Sequence, residues 1–331
     1  MIISRTPFRI SLFGGGTDYP IWFRKHGGAV WGAAIDKYCY ISVRYLPPFF
    51  QHRHRIVYSN VELVHRIGEI QHPVVRGVLS EMVIEEGLEI HHDADLPARS
   101  GLGSSSSFTV GLLNALYALR GQMVTKRGLA KEAIRIEQEV LREAVGSQDQ
   151  IWAAYGGVNR ISFSQDGSFE VAPIILRAAR RAELEQSLML VFTGFSRYAT
   201  ESASVQIKNM DQRTQQLSTM LSMVDHSLEI IQSENASLIE IGKLLHEGWR
   251  LKRELAETVS TSQIDEIYEA GRRAGAVGGK LLGAGGGGFM VFFVEPDKHA
   301  RVREALKNLI HVSIRFSDEG SKIVLYQPDG L

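Results

Sequence analysis

The stretch Pro97-Ala98-Arg99-Ser100-Gly101-Leu102-Gly103-Ser104-Ser105-Ser106-Ser107 decides how the chain is read. It joins a short β-like run at 88–92 to an apolar helical pattern at 108–119. Its two glycines let backbone come close to a ligand, and its row of hydroxyls suits the cap of the helix that follows. A helix start offers free N–H groups and the positive end of the dipole, so it suits an anion, above all a phosphate. The plain alternative is a glycine-serine loop with a good N-cap.

Two further glycine clusters flank this loop at a distance. The first is Pro7-Phe8-Arg9-Ile10-Ser11-Leu12-Phe13-Gly14-Gly15-Gly16-Thr17-Asp18-Tyr19-Pro20, where alternation up to Phe13 predicts a strand ending in a glycine turn. Gly15 and Gly16 leave space where side chains otherwise stand. Asp18 offers two oxygens for hydroxyl groups, or else bonds its own backbone in a tight turn. The second is Gly278-Gly279-Lys280-Leu281-Leu282-Gly283-Ala284-Gly285-Gly286-Gly287-Gly288-Phe289. Gly283, Gly285 and Gly288 formally fit a dinucleotide fingerprint, but the run continues into strand-like 289–293 rather than a helix. Gly279-Lys280 is followed by Leu281, so it is no Walker loop.

Between these clusters the chain alternates strands and helices. Strands are predicted within 28–45 and at 157–163, 169–176, 187–193 and 290–294. Helices are predicted at 73–86, 125–143 and 298–309, and two or three more lie within 202–259. Glu137 lies near the end of the helix at 125–143, and Asp149 follows twelve positions later on a turn. A helix acid and a turn acid could serve as metal ligand and base, although two carboxylates at this spacing are more often surface residues. The run Gln51-His52-Arg53-His54-Arg55 reads as a solvated strand edge.

Composition narrows the classes. The 331 residues are 44% hydrophobic and 22% charged, as in a soluble globular protein of one large or two moderate domains. Lys plus Arg equals Asp plus Glu at 37 each, so no basic field points to nucleic acid. Cys39 is the single cysteine, which rules out an internal disulfide and a cysteine-based zinc site. No signal-peptide pattern or membrane-length apolar run is present, and the chain reads as cytoplasmic.

All three clusters, in this order and separation, resemble the three motifs of the GHMP kinases. The match is spread over nearly the whole chain. Within that family, Gly14-Gly15-Gly16-Thr17-Asp18, Gly146-Ser147-Gln148-Asp149-Gln150 and the run from Gly279 to Phe289 resemble most the heptose 7-phosphate kinases of bacterial surface-sugar synthesis. The resemblance implies an α+β fold of two domains. Residues 1–183 would be an ATP-binding half like ribosomal protein S5 domain 2, and residues 184–331 a ferredoxin-like half. It implies that Gly101, Leu102, Gly103, Ser104, Ser105 and Ser106 wrap the ATP phosphates, and that Ser105 and Glu137 hold Mg²⁺. Asp149 would take the catalytic place with Arg9 beside it.

The same resemblance places Gly15, Gly16, Thr17, Asp18, Gly285 and Gly286 against the sugar. Galactokinases carry Glu-His where this chain has Gly15-Gly16, which argues for a larger sugar than galactose. For the 7-phosphate, Arg197 and Lys252 are the cationic candidates. The expected reaction is ATP- and Mg²⁺-dependent phosphorylation of the anomeric hydroxyl of D-glycero-D-manno-heptose 7-phosphate. Alternatives are a kinase for fucose or another hexose, or a non-catalytic sugar or nucleotide sensor. The expected partners are the sugar phosphate and ATP, with no nucleic acid or membrane. A homodimer is left open.

Overall fold

Apolar residues alternate with polar ones along the first strand, and both faces of that strand are covered from Pro7 onward in the computed structural model. The structure describes residues 1–195 and 199–328. Strands β1 (Ile2–Phe13) and β2 (Gly28–Tyr45) form a long antiparallel pair, with helix α1 (Pro20–His26) in the connection. The 18-residue β2 outruns its neighbours on the other side and divides that edge between two partners. Its first part, Gly28 to Ala33, pairs with β6 (Val158–Phe163), which carries β7 (Phe169–Pro173). Its second part, Cys39 to Tyr45, pairs with β5 (Leu88–Ala94), beyond which lie β3 (His54–Val57) and β4 (Val61–Val64).

Helix α2 (Pro73–Glu81) precedes β5 and stops five residues short of the predicted end, where Val83 turns to φ 51°. The serine loop feeds α3 (Ser104–Leu119), which packs across β1 and β2 and is buried almost all round. Helix α4 (Lys126–Arg135) is capped by Thr125, whose Oγ1 accepts from the Gly128 N–H at 3.1 Å. The predicted helix at 125–143 does not run on regularly. From Ile136 to Val140 it widens into a π-turn, a form found mostly as single turns at functional sites. Helix α5 (Gln148–Tyr155) then leads back to β6, so Asp149 stands in a helix's first turn and not on a free turn.

After α6 (Ala178–Gln186) a second sheet begins with β8 (Leu188–Phe192). Helices α7 (Ala199–Asn209), α8 (Thr214–Gln232), α9 (Ile239–Leu255) and α10 (Ser262–Ala274) follow. Then come β9 (Gly278–Leu281), β10 (Phe289–Phe293), α11 (His299–Ala305) and β11 (Ile310–Val312). This sheet has the order β11-β8-β10-β9 and is antiparallel throughout, the 4-1-3-2 order of a ferredoxin-like half. The last strand, β12 (Lys322–Tyr326), crosses back and pairs with β1. The domain division we propose at 183/184 falls inside α6, and β12, which that division assigns to the second half, pairs with the first sheet.

The two sheets are joined backbone to backbone at the glycine loops. The Phe289 N–H donates to the Ser100 carbonyl at 3.0 Å. Gly101 has φ +79°, and a Cβ there would lie 2.4 Å from the Leu282 carbonyl oxygen. Gly283 faces it with φ +75°, its would-be Cβ 2.6 Å from the Gly101 Cα. Side chains of any size would force these loops apart. Gly101→Ala is therefore expected to destabilise the fold by about 2–4 kcal/mol in urea unfolding, through left-handed strain plus a backbone clash. A loss under about 0.5 kcal/mol, the range of neutral surface changes, would contradict this packing.

Candidate active site

Strand β1 brings Arg9 under the serine loop, where its guanidinium is 4% exposed. Nε and Nη2 donate to the two carboxylate oxygens of Asp149, each at 2.7 Å, and Nη1 donates to the Gly101 carbonyl at 2.7 Å. This fork-to-fork pairing is the strongest ion-pair geometry available to arginine. The Arg9 backbone N–H donates to the Leu102 carbonyl at 3.0 Å. Gly103 closes the arrangement. A Cβ there would stand 3.3 Å from Arg9 Cγ and 3.4 Å from the Asp149 carboxylate, so glycine keeps the pair open to a ligand lying on the loop.

Gly103, in the left-handed region at φ 76°, is also the N-cap of α3. The hydroxyls expected to cap this helix are used otherwise. Ser104 Oγ accepts from the Arg99 N–H at 3.1 Å, and Ser107 Oγ donates to the Pro7 carbonyl at 2.8 Å. The side chain of Ser105 faces outward, exposed. No side chain caps the start of α3, so its first N–H groups are free for an anion. Ser100 Oγ, buried in the same loop, also lacks a partner.

Behind the loop the π-turn of 136–140 turns Glu137 into the interior. Oε2 accepts from Ser106 Oγ at 2.9 Å and from the Gln150 amide, while Oε1 has no partner. Burial pushes the Glu137 carboxyl up to about 7, and the hydrogen bonds it accepts moderate that rise. Ser106 therefore touches Glu137 where the sequence pointed to Ser105. Among the described residues no group of three or more His, Cys, Asp or Glu side chains is placed to hold a metal. A cage built by protein alone is thus absent there. Mg²⁺ needs none, since it keeps waters and substrate phosphates around one or two protein oxygens. The unpartnered Glu137 Oε1 beside serine hydroxyls fits that requirement.

On the other side of Asp149 lies the Gly14–Asp18 turn. Asp18 is buried, and its Oδ1 accepts from the Gly16 N–H at 3.0 Å. Burial raises its pKa, as does the charge of Asp149. Thr17 is spent on the turn itself: Oγ1 lies 2.8 Å from the Gly14 carbonyl and 2.9 Å from the Ala29 carbonyl. Gly16 faces Leu217, whereas a Cβ on Gly15 would meet only ordinary contacts, Ser11 Oγ at 3.8 Å and Gln148 Nε2 at 4.0 Å. Gly285 and Gly286 pack on Val259, and the Gly286 N–H donates to the Val259 carbonyl at 3.1 Å.

Two lysines stand nearby, both buried. Lys252 of α9 donates from Nζ to the carbonyls of Leu281 (3.1 Å) and Gly283. Burial pushes its pKa down to about 7, helped by the Arg9 charge. Lys280 of β9 donates to the Leu12 carbonyl at 3.0 Å, and burial lowers its pKa well below the usual value. A lysine inside this glycine-rich, apolar run is itself a signal in the sequence, because buried lysines are rare. Arg197 lies outside the described residues.

The arrangement gathers the uncapped start of α3, a carboxylate paired with an arginine, and two further buried acids, Glu137 and Asp18. That is the equipment of phosphoryl transfer to an alcohol, which depends on positioning and charge neutralisation. Similarity to known proteins agrees. Residues 64–157 match the model of the GHMP kinases N terminal domain, and residues 231–311 that of the GHMP kinases C terminal domain, together just over half of the chain. A D-glycero-alpha-D-manno-heptose 7-phosphate kinase of Campylobacter jejuni is 28% identical over 319 residues, 92% of this chain and 93% of that protein.

Among solved structures, a D-glycero-D-manno-heptose 1-phosphate kinase from Bacteriodes thetaiotaomicron superposes with a TM-score of 0.73 at 25% identity, covering 98% of each chain. A Lactococcus lactis galactokinase, complexed with galactose, shares the fold at a TM-score of 0.75 and 19% identity, covering 97% of this chain and 94% of that one. None of the described helices is long and apolar enough to cross a membrane. With both family models matched in order and the cleft built as phosphoryl transfer requires, the chain belongs to the GHMP kinase family of ATP-dependent kinases that phosphorylate a hydroxyl group.

Proposed function

We propose that this kinase transfers the γ-phosphoryl group of ATP to the anomeric hydroxyl of D-glycero-D-manno-heptose 7-phosphate, giving the 1,7-bisphosphate. The product would feed nucleotide-activated heptose synthesis for a bacterial surface polysaccharide, in the cytoplasm. The observation that carries this reading is the Arg9–Asp149 fork beside the Gly101–Gly103 loop, in a chain similar over nearly its full length to a heptose 7-phosphate kinase. The side-chain position that glycine leaves empty at residue 15 supports a bulky sugar.

In this mechanism the free N–H groups at the start of α3 and the backbone of Gly101 to Ser106 bind the ATP phosphates. Ser105 and Glu137 are the proposed Mg²⁺ ligands, with Ser106 steadying Glu137 in the free enzyme. The chemistry Mg²⁺ would supply between these residues is neutralisation of charge on the phosphates. Asp18 orients the sugar, and Asp149 accepts the proton of the attacking hydroxyl. The new bond joins the sugar oxygen to the γ-phosphorus as the bond from that phosphorus to the oxygen bridging to ADP breaks. Arg9 holds Asp149 in line throughout. Lys252 has one donor left beyond its two carbonyl partners, and an arriving phosphate would favour its charged form. We therefore keep Lys252 as the proposed 7-phosphate contact, together with Arg197.

ADP release over heptose 7-phosphate, mannose, galactose, fucose and mevalonate tests the reading. Turnover confined to heptose 7-phosphate supports it. Turnover on a plain hexose would replace the substrate, and ATP binding with no turnover on any would bring the sensor forward. Asp149→Asn is expected to lower kcat by about 10²–10⁴ with ATP affinity little changed; a fully active variant would remove Asp149 from the base role.

Glu137 supplies a second test, in metal-free buffer. Burial pushes its carboxyl up to about 7 in the folded chain, from an ordinary value of 4.5. The stability carried by the protonated form is full below pH 4.5 and lost as pH rises to 7, a fall on the order of 3 kcal/mol. Glu137→Gln should flatten this decline in a pH series of thermal melts and raise the Mg²⁺ concentration needed for turnover. An unchanged melt series and an unchanged Mg²⁺ titration would take Glu137 out of both roles.

A further inference from the structure

Two polar side chains border the side-chain position that glycine leaves empty at residue 15, and the fold leaves Ser11 Oγ among them without a partner. Ser11 is 5% exposed, and its Oγ makes no hydrogen bond. Gln148 turns its side-chain amide toward Asp18, while its Oε1 is buried and unpartnered. A Cβ built on Gly15 would stand 3.8 Å from Ser11 Oγ and 4.0 Å from Gln148 Nε2, so both side chains border the same small space. Buried polar atoms are nearly always satisfied, and leaving one unpaired costs about 1–3 kcal/mol. Ser11 Oγ, an orphan facing the Gln148 amide across the Gly15 position and lying next to the Arg9–Asp149 pair, calls for a ligand.

We propose that Ser11 and Gln148 are specificity-determining residues that bind one hydroxyl of the sugar over Gly15. The chemistry is complementary: the substrate O–H donates to Ser11 Oγ, and the second Gln148 Nε2–H donates to the substrate oxygen. Gln148 also links this subsite to the reaction, because it precedes Asp149 in the first turn of α5 and bonds to Asp18. Glycine at position 15 is what leaves the space. Its φ is not in the left-handed region and a Cβ meets only ordinary van der Waals distances, so the fold itself does not demand glycine there. The inference rests on the sugar-kinase reading above and adds two residues to it.

The test compares wild type with Ser11→Ala and Gly15→Ala for sugar and ATP kinetics, and for thermal unfolding. Ser11→Ala should raise the sugar KM by about tenfold, the equivalent of one lost hydrogen bond, with the ATP KM unchanged. Its unfolding midpoint should hold or rise, since the change deletes an unsatisfied hydroxyl. Gly15→Ala should fold normally and raise the sugar KM by about tenfold or more by filling the space. Across analogues each lacking one ring hydroxyl, the Ser11→Ala penalty should vanish for one member of the series. Turnover on heptose 7-phosphate with an unchanged sugar KM in both variants would overturn the subsite and leave the proposed function standing. Turnover only on another sugar would overturn that substrate assignment, and the same KM comparison on that sugar would then decide the subsite.

Discussion

A guanidinium taken almost completely out of water is costly unless every face of it is met. The Arg9 guanidinium is held by both oxygens of Asp149 and by the Gly101 carbonyl, and the Arg9 backbone N–H ties its strand to Leu102. These partners come from two parts of the chain distant from Arg9 itself, so satisfying one charge fixes strand β1, the phosphate loop and the start of α5 relative to each other. The glycines follow from the same requirement. Gly103 is the residue whose missing side chain leaves the pair uncovered, and Gly101 is pressed against Leu282 and Gly283 from the second sheet.

The electrostatics of the cleft extend from this centre. Lys252 and Lys280 reach it from α9 and β9, and each is tied to backbone carbonyls rather than to a carboxylate. Burial and the nearby Arg9 charge push both toward the neutral form. A phosphorylated substrate brings negative charge into the place where these cations have been denied it. The donors are fixed before the ligand arrives, so little reorganisation opposes transfer. On the opposite side Glu137 keeps one oxygen unsatisfied behind the loop, which suits a cation entering with the nucleotide.

Much of this was legible in the sequence because it has local signatures. Alternation marked β1, the apolar period marked α3, and three glycine clusters in fixed order marked the family resemblance. What stayed hidden depends on contacts far apart in the chain. No local pattern shows that the helix after Thr125 opens into a π-turn that swings Glu137 inward, or that Asp149 begins a helix. Ser104 and Ser107 read as caps, yet their partners are the Arg99 N–H and the Pro7 carbonyl. Thr17 read as a substrate contact, while its hydroxyl closes the turn onto Gly14 and Ala29. The return of β12 to β1 follows from pairing alone, and so does the role of Lys280, whose carbonyl partner lies 268 residues away.

The most direct test of the account is ³¹P NMR of the product formed from ATP and D-glycero-D-manno-heptose 7-phosphate. Transfer at the Arg9–Asp149 centre predicts a second sugar phosphate resonance coupled to the anomeric proton, appearing in step with ADP. A new phosphate coupled to any other sugar proton, or ADP formed with inorganic phosphate as the sole phosphorylated partner, would contradict it.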